Sequence, residues 1–462
     1  MDPNSANLIF EASLDLLENP GVRIEHDKVT AQLLKAGAKA GNDAQVICFP
    51  KELVKESIAQ APSEVFFADR DGSGKTISAH GNTLNWTVPG MNILKENTHR
   101  RFTSTDMGEM AKLVEQLPNV DGIFGMALAD MPTRSQDVVG LRVMAENTKK
   151  HIRVLCFTPE GADVLCEMKD VVGAYPWFSV GFTAHGPLRW TNLALEIFAR
   201  TAGKGIPTTI NGEPMSGASA PCTLAGAAAV GNAEILSGLV INQILEPGRP
   251  CIYNLGLAHI FDMRTSIAVT GAPENHLLAD VSAALGRLYN LPSCSWVSTE
   301  SMCVDSQASI EKTAGYFSHL NSGVSLIFGV GQLESELTIS PAQAVIDNEI
   351  ISYVRRYLRG IEVNPETLAV DVVRSVGIGG NFLAEDHTVR HFRNEFFEPS
   401  LLLRESREPW KRAGSKPLAQ KAEEVAEKLV KKEMPASLSE DEARELRKLE
   451  DAFLKRLSTQ AS

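Results

Sequence analysis

The sequence is short of several features that would have identified a function directly. Aromatic residues make up only 6% of the 462 positions. No uninterrupted apolar run approaches the roughly 20 residues that cross a bilayer, and the N-terminal stretch MDPNSANLIFEASLDLLENPG carries acid where a secretory signal carries basic and then apolar residues. A soluble, cytoplasmic protein without a membrane association is therefore expected. Basic charge is in deficit, with 45 Lys and Arg against 57 Asp and Glu, a formal net charge of -12. That balance argues against a nucleic-acid-binding surface, which needs cations to meet phosphates. The seven cysteines, Cys48, Cys156, Cys166, Cys222, Cys251, Cys294 and Cys303, are odd in number and form no CxxC pair. Reduced thiols in a reducing compartment are the simplest reading.

Several motifs are absent or broken. Gly72-Ser73-Gly74-Lys75-Thr76 has the end of a phosphate loop, but Asp69 stands where its leading glycine belongs, and no apolar helix follows. The segment reads better as a hairpin turn. Gly377-Ile378-Gly379-Gly380 begins like a dinucleotide fingerprint and meets Phe382 at its third glycine. His387 and His391 have zinc-ligand spacing without the intervening glutamate or a nearby cysteine, so no metal site is assigned. No G-x-S-x-G elbow supports a serine hydrolase. No histidine is preceded two positions earlier by aspartate, as the D-x-H-x-x-G signature of histidine-held cobalamin requires.

What is present is alternation. Residues 7–18 have helical apolar spacing stopped by Asn19-Pro20-Gly21, and helices at 27–36 and 50–60 with the short runs VICF and EVFFA make a small α+β lead-in over residues 1–80. From residue 83, β-prone runs at 83–88, 122–127, 153–158, 178–183, 207–212, 251–256, 293–298 and 325–330 alternate with helical stretches at 105–117, 135–148, 160–173, 190–203, 223–244, 273–289 and 306–321. Eight such strands with intervening helices predict the α/β class and a (β/α)8 TIM barrel, over residues 81–400. The main rival, a doubly wound sheet, ordinarily carries a Gly-rich nucleotide turn. After residue 400 the composition turns to dense mixed charge, predicting a helical extension over 401–462 with Ser437 or Ser439 capping its last helix. Its helices suit a surface or oligomer contact, and a homo-oligomer is expected.

Longer stretches resemble the trimethylamine methyltransferase family: LLENPGVRIEHDKVTAQLLKAGAK (16–39), FPKELVKESIAQAPSEVFFADRD (49–71), FDMRTSIAVTGAPENHLLADVSAALGRLYNLPS (261–293), GYFSHLNSGVSLIFGVGQLESELTISPAQAVIDNEI (315–350) and GIGGNFLAEDHTVRHFRNEFFEPSLLLRE (377–405). The resemblance implies a barrel enzyme that hands a methyl group to Co(I) of cobalamin on a separate corrinoid protein, which suits the missing D-x-H-x-x-G. Founding members carry pyrrolysine; only standard residues occur here. The chain is thus similar to the non-pyrrolysine branch, which acts on quaternary amines, with glycine betaine as the expected substrate and proline betaine or carnitine as alternatives. No covalent catalytic residue and no cofactor held by this chain are expected.

A trimethylammonium group is recognised by aromatic faces with carboxylate or carbonyl help. In a barrel of this kind the site lies at the C-terminal ends of the strands. There the aromatic candidates are Trp86, Tyr253, Trp296 and Phe328, and the polar ones are His185, Asn211, Glu213, Asn254, His259, Gln332 and Glu334. Glu334 or Glu213 is expected to face the cation electrostatically, and His185 or a backbone turn to take the substrate carboxylate. Arg264 suits either a carboxylate or an ordinary ion pair.

Overall fold

The computed structural model describes residues 1–460. Eight parallel strands close into a barrel: β1 (Leu84–Thr87), β2 (Gly122–Phe124), β3 (His151–Arg153), β4 (Phe178–Thr183), β5 (Thr208–Asn211), β6 (Cys251–Gly256), β7 (Ser293–Trp296) and β8 (Leu326–Val330). Each is followed by a helix of the outer ring: α1 (Ser104–Gln116), α2 (Gln136–Asn147), α3 (Pro159–Val172), α4 (Asn192–Thr201), α5 (Leu224–Leu245), α6 (Pro273–Tyr289), α7 (Ser306–Ser322) and α8 (Pro341–Leu358). The strand-helix alternation read from the sequence is the architecture observed. The alternation delineated seven of the connecting helices, and α8 is the eighth.

β3 lies earlier than the run at 153–158 suggests. Its paired residues are His151 to Arg153, whose polar side chains disguise a strand. His151 is buried because its ring nitrogens reach the Ala68 carbonyl at 3.1 Å and the Ser179 hydroxyl at 3.1 Å. The apolar residues after Arg153 instead run as extended chain to Thr158, which caps α3.

α5 is long and apolar enough to cross a membrane by length and composition, with a mean hydropathy of 1.6. The sequence reading allowed for no such stretch. Most of it is buried within this protein, between β5 and β6 on one side and the N-terminal helices Pro3–Glu18 and Lys51–Gln60 on the other. A helix covered all round has no polar face to keep. The first of those helices begins earlier than residue 7 because the Asp2 carboxylate accepts from the Asn4 and Ser5 amides.

The hairpin Glu64–Ala68 to Gly74–Ser78, turning near Asp71-Gly72, closes the bottom of the barrel. Val65, Phe67 and Ile77 join the inward-facing Leu84, Trp86, Phe124, Ile252, Cys294, Trp296, Leu326 and Phe328 in one apolar cluster. The barrel is therefore plugged at its N-terminal end, and access is from the C-terminal end alone. Beyond α8, the segment 360–397 carries the short helices Pro365–Leu368, Val370–Val376 and Asp386–Glu395, none of which buries a side chain. The C-terminal helices Leu418–Lys431 and Glu440–Gln460 return to the barrel and pack on α8 and α1, and on α2 and α3. Ser439 and Glu442 form a reciprocal cap at the start of the last helix.

Candidate active site at the barrel mouth

The floor of the mouth is made by inward side chains at the strand ends. Phe124 on β2, Arg153 on β3, Asn211 on β5 and Trp296 on β7 each retain 4–6% exposure, whereas Trp86 and Phe328 below them retain 1%. The aromatic rings are layered. Trp296 lies 4.9 Å from Phe328 and 6.0 Å from Phe124, and Phe328 lies 5.6 Å from Trp86. The Trp296 indole N–H has no partner among the described residues. On the other wall the amide of Asn254 donates to Asn211 at 2.7 Å, and Asn211 donates to the Thr183 hydroxyl at 3.0 Å. The Arg153 guanidinium lies 5.0 Å above the Phe124 ring, and Trp296 is the floor aromatic with no cation over it among the described residues.

Above the floor stands an acidic rim. Glu213 follows β5; it is open to solvent yet walled in by protein, which raises its carboxyl while His259 and His185 lower it. Glu336, after β8, is pushed well up by burial and further by the charges of Glu213 and Glu300. Neither carboxylate is in an ion pair or hydrogen bond among the described residues. Glu300 is occupied: it accepts from the Thr270 and Gly271 amides at 2.6 and 2.8 Å and from the Ser335 hydroxyl. Acidic groups held near one another with their carboxyls raised would ionise on meeting a cation, which relieves both the burial cost and their mutual repulsion.

The chain pays a conformational cost to place Glu336. Glu334, Ser335 and Glu336 have φ of 54°, 47° and 75°, three consecutive side-chain-bearing residues in the left-handed region. Each costs roughly 1–3 kcal/mol and persists only when its surroundings fix it. The fixing groups are visible. The Glu334 and Ser335 amides donate to the carbonyls of Ser301 and Thr299 at 2.9 and 3.0 Å, and the Leu337 carbonyl accepts from Met91 and Asn92. Below the turn, the buried Lys312–Asp347 ion pair at 2.7 Å holds the end of β8: Lys312 donates to the Gly329 carbonyl and Asp347 accepts the Gly331 amide at 2.7 Å. Gly331 has φ of 83°, which its missing Cβ permits.

Glu234 on α5 sits beneath Glu213. It is fully buried, accepts the Leu188 amide at 2.9 Å, and its other oxygen has no hydrogen-bond partner among the described residues. Desolvation raises its carboxyl from 4.5 to about 7. The folded protein thus holds a proton that the unfolded chain releases between those values. This group's contribution is fully favourable below pH 4.5 and is lost as pH rises through 7. Glu234→Gln should remove that slope, about 1.4 kcal/mol per pH unit within the window. Denaturant unfolding of both proteins from pH 5 to 8 measures it; an unchanged slope in the variant would refute the assignment.

The structure brings together some of the residues singled out from sequence and separates others. Trp296, Asn211, Asn254, Glu213, His185 and His259 border the mouth or its floor. Trp86 and Phe328 face inward but lie beneath the floor. Tyr253 points outward: its hydroxyl bonds Asn232 of α5 at 2.9 Å and its ring packs on Tyr289 of α6. Gln332 is fully buried and accepts the Thr299 amide at 3.1 Å. Glu334 turns away from the cluster, bonding Thr338 and, at 3.2 Å, His99; the carboxylate two residues later occupies the position expected of it. Arg264 is 90% exposed beside Asp262. His387 and His391 lie 4.3 Å apart in the exposed segment beyond α8. Sequence reasoning missed Arg153, Glu234, Glu300 and Glu336. The basic residue closing β3 was the one available signal for Arg153.

Residues 1–458 match the family model described as trimethylamine methyltransferase (MTTB). The chain is 31% identical to "Trimethylamine methyltransferase MttB" of Desulfitobacterium hafniense, over 96% of this chain and 91% of that one. It is 26% identical to a "Glycine betaine methyltransferase" from another strain of that species, over 87% and 86%. The solved monomethylamine methyltransferase of Methanosarcina barkeri superposes with a TM-score of 0.54 at 14% identity, covering 93% of this chain and 87% of that one, which shows a shared fold.

Proposed function

The chain belongs to the trimethylamine methyltransferase family, and from that premise we propose that it moves a methyl group from glycine betaine to Co(I) of cobalamin on a separate corrinoid protein, releasing dimethylglycine. The single observation that carries the choice of a quaternary amine is the mouth itself. It offers Trp296, a floor indole with no cation of this protein over it among the described residues, and the acidic groups Glu213 and Glu336, which a cation would ionise. Such a pocket suits a permanent cation, which is attracted by aromatic faces and carboxylates without giving up a proton.

The chemistry asks little else of this chain. When the C–N bond of a quaternary ammonium breaks, the electron pair stays on nitrogen and a neutral amine leaves, so no general acid is required. The methyl acceptor supplies the nucleophilic electron pair. The protein's own residues bind the cation, point one methyl group out of the mouth and exclude water from the floor. Cys156, just beyond β3, offers no activated thiol, because burial pushes it well up and keeps it neutral. The acceptor protein is proposed to approach the solvent-open rim at Glu213 and His185. Seven free cysteines and a strongly reduced acceptor suit the cytoplasm.

The test mixes the full chain with chemically reduced cob(I)alamin and a panel of glycine betaine, proline betaine, carnitine, choline and trimethylamine, following methylcobalamin by absorbance. Methylation from glycine betaine is the expected result. Methylation from a different quaternary amine overturns the substrate and keeps the reaction. No methylation from any donor, with corrinoid proteins also supplied, overturns the enzyme as proposed and leaves a betaine-binding barrel.

A further inference from the structure

Among the described residues, the buried cations are matched to acceptors to differing degrees. Lys312 pairs with Asp347 at 2.7 Å. Arg249 pairs with Glu246 at 3.4 Å and donates to the Ile206 carbonyl and the Thr201 hydroxyl. Arg70 and Lys150 each donate to three backbone carbonyls. Arg153, 4% exposed, donates to the carbonyl of Val154 at 3.0 Å, while its Nε has no partner and no carboxylate pairs with it among the described residues. With that one hydrogen bond and the Phe124 ring 5.0 Å away, the buried charge is only partly matched, which is unfavourable unless something else completes it.

The barrel is shaped around this side chain. A Cβ on Gly181 of β4 would lie 1.6 Å from Arg153 Nη2, so only glycine lets the guanidinium lie across that strand. Gly181 and Thr183 beside it are half-exposed, which places open space above the guanidinium. β3, which carries Arg153, and β7, which carries Trp296, stand opposite each other in the closed eight-strand order. The mouth is thus polarised: a fixed cation on one wall of the floor, and an aromatic face with carboxylates above it on the other.

We propose that Arg153 receives the carboxylate of the substrate, making this barrel selective for zwitterionic quaternary amines, in which an acid group sits a few bonds from the ammonium, over amines that lack one. This deepens the methyl-transfer reading and rests on it for the identity of the site. A guanidinium accepts a carboxylate with two parallel hydrogen bonds, which no lysine reproduces. With the acid group anchored on β3, the ammonium is directed across the floor towards Trp296, and the position expected of His185 as the carboxylate's partner passes to Arg153. A trimethylammonium without an acid group would leave the arginine unmatched.

The test measures binding to the full chain by calorimetry, with glycine betaine, choline and tetramethylammonium as probes and no corrinoid present. The intact protein is expected to hold glycine betaine about 10- to 100-fold more tightly than choline, the range for a charge-assisted hydrogen-bonded pair. Arg153→Met should abolish that preference while leaving tetramethylammonium within about threefold of the intact protein, and Arg153→Lys should restore only part of it. Equal affinity of the intact protein for glycine betaine and choline overturns the proposal with no variant needed. Loss of all three probes in a folded Arg153→Met protein overturns it as well, because the arginine would then support the pocket rather than read the acid group. Failure of methyl transfer alongside an intact betaine preference would sink the reaction and leave Arg153's role standing. Methyl transfer with equal affinity for all donors would do the reverse.

Discussion

Trp296→Ala is expected to weaken glycine betaine binding by about 10- to 100-fold. A desolvated cation–π contact contributes roughly 0.5–2 kcal/mol, indole is the strongest of the aromatic faces, and truncation also removes apolar surface from around the methyl groups. Trp296 is chosen over the other aromatic residues on geometry. The Phe124 face is covered by Arg153 at 5.0 Å, Trp86 and Phe328 lie below the floor with 1% exposure, and Tyr253 is engaged with Asn232 and Tyr289 outside the barrel. Trp296→Phe should recover most of the loss. Tyr253→Phe should leave affinity unchanged while removing a buried hydrogen bond. Calorimetric titration of the three variants decides the matter: a Trp296→Ala protein that binds like the intact one would remove this residue from the site.

Lys312→Met is expected to cost about 3–5 kcal/mol of folding stability, the usual consequence of removing one partner of a buried ion pair. Both Lys312 and Asp347 are fully buried. The lone Asp347 would keep only the Gly331 amide and the Gln343 amide, at 2.7 and 2.9 Å. Because this pair fixes the end of β8 that leads into the left-handed turn at 334–336, the loss should appear in ligand affinity as well as in denaturant midpoint. The Lys312→Met, Asp347→Asn double variant should regain a large part of the stability, since no unmatched charge is left behind. A double variant as unstable as the single one would show that the pair acts through packing and not through charge.

The barrel was legible because it is written in local chemistry. Runs such as FSVGFT and CIYNLG end in glycine or small polar residues, and the segments between them keep a helical repeat, so strand and helix could be told apart within short windows. β3 was harder to place because its residues, His151 to Arg153, look like loop when the partners that bury them, Ala68 and Ser179, are unknown. α5 was misleading in the other sense, since its uniformly apolar surface reflects two layers of neighbours that only the assembled molecule supplies. The family resemblance was equally legible, being spread over most of the chain.

The candidate site was legible only as a level in the barrel. Sequence alone determined that polar and aromatic residues at strand ends would gather at one mouth, because eight parallel strands bring their C-terminal ends together whatever the side chains are. Which of them face the space was decided by tertiary structure. Strand residues alternate between the barrel interior and the helix layer, so Tyr253 faces out while its neighbour Asn254 faces in. A left-handed turn, held by contacts from Ser301, Thr299, Met91 and Asn92, brings Glu336 rather than Glu334 towards Glu213. Arg153 stands out only once the folded chain shows that no carboxylate pairs with it among the described residues, because the absence of a partner is a property of three-dimensional surroundings and leaves no mark on the sequence.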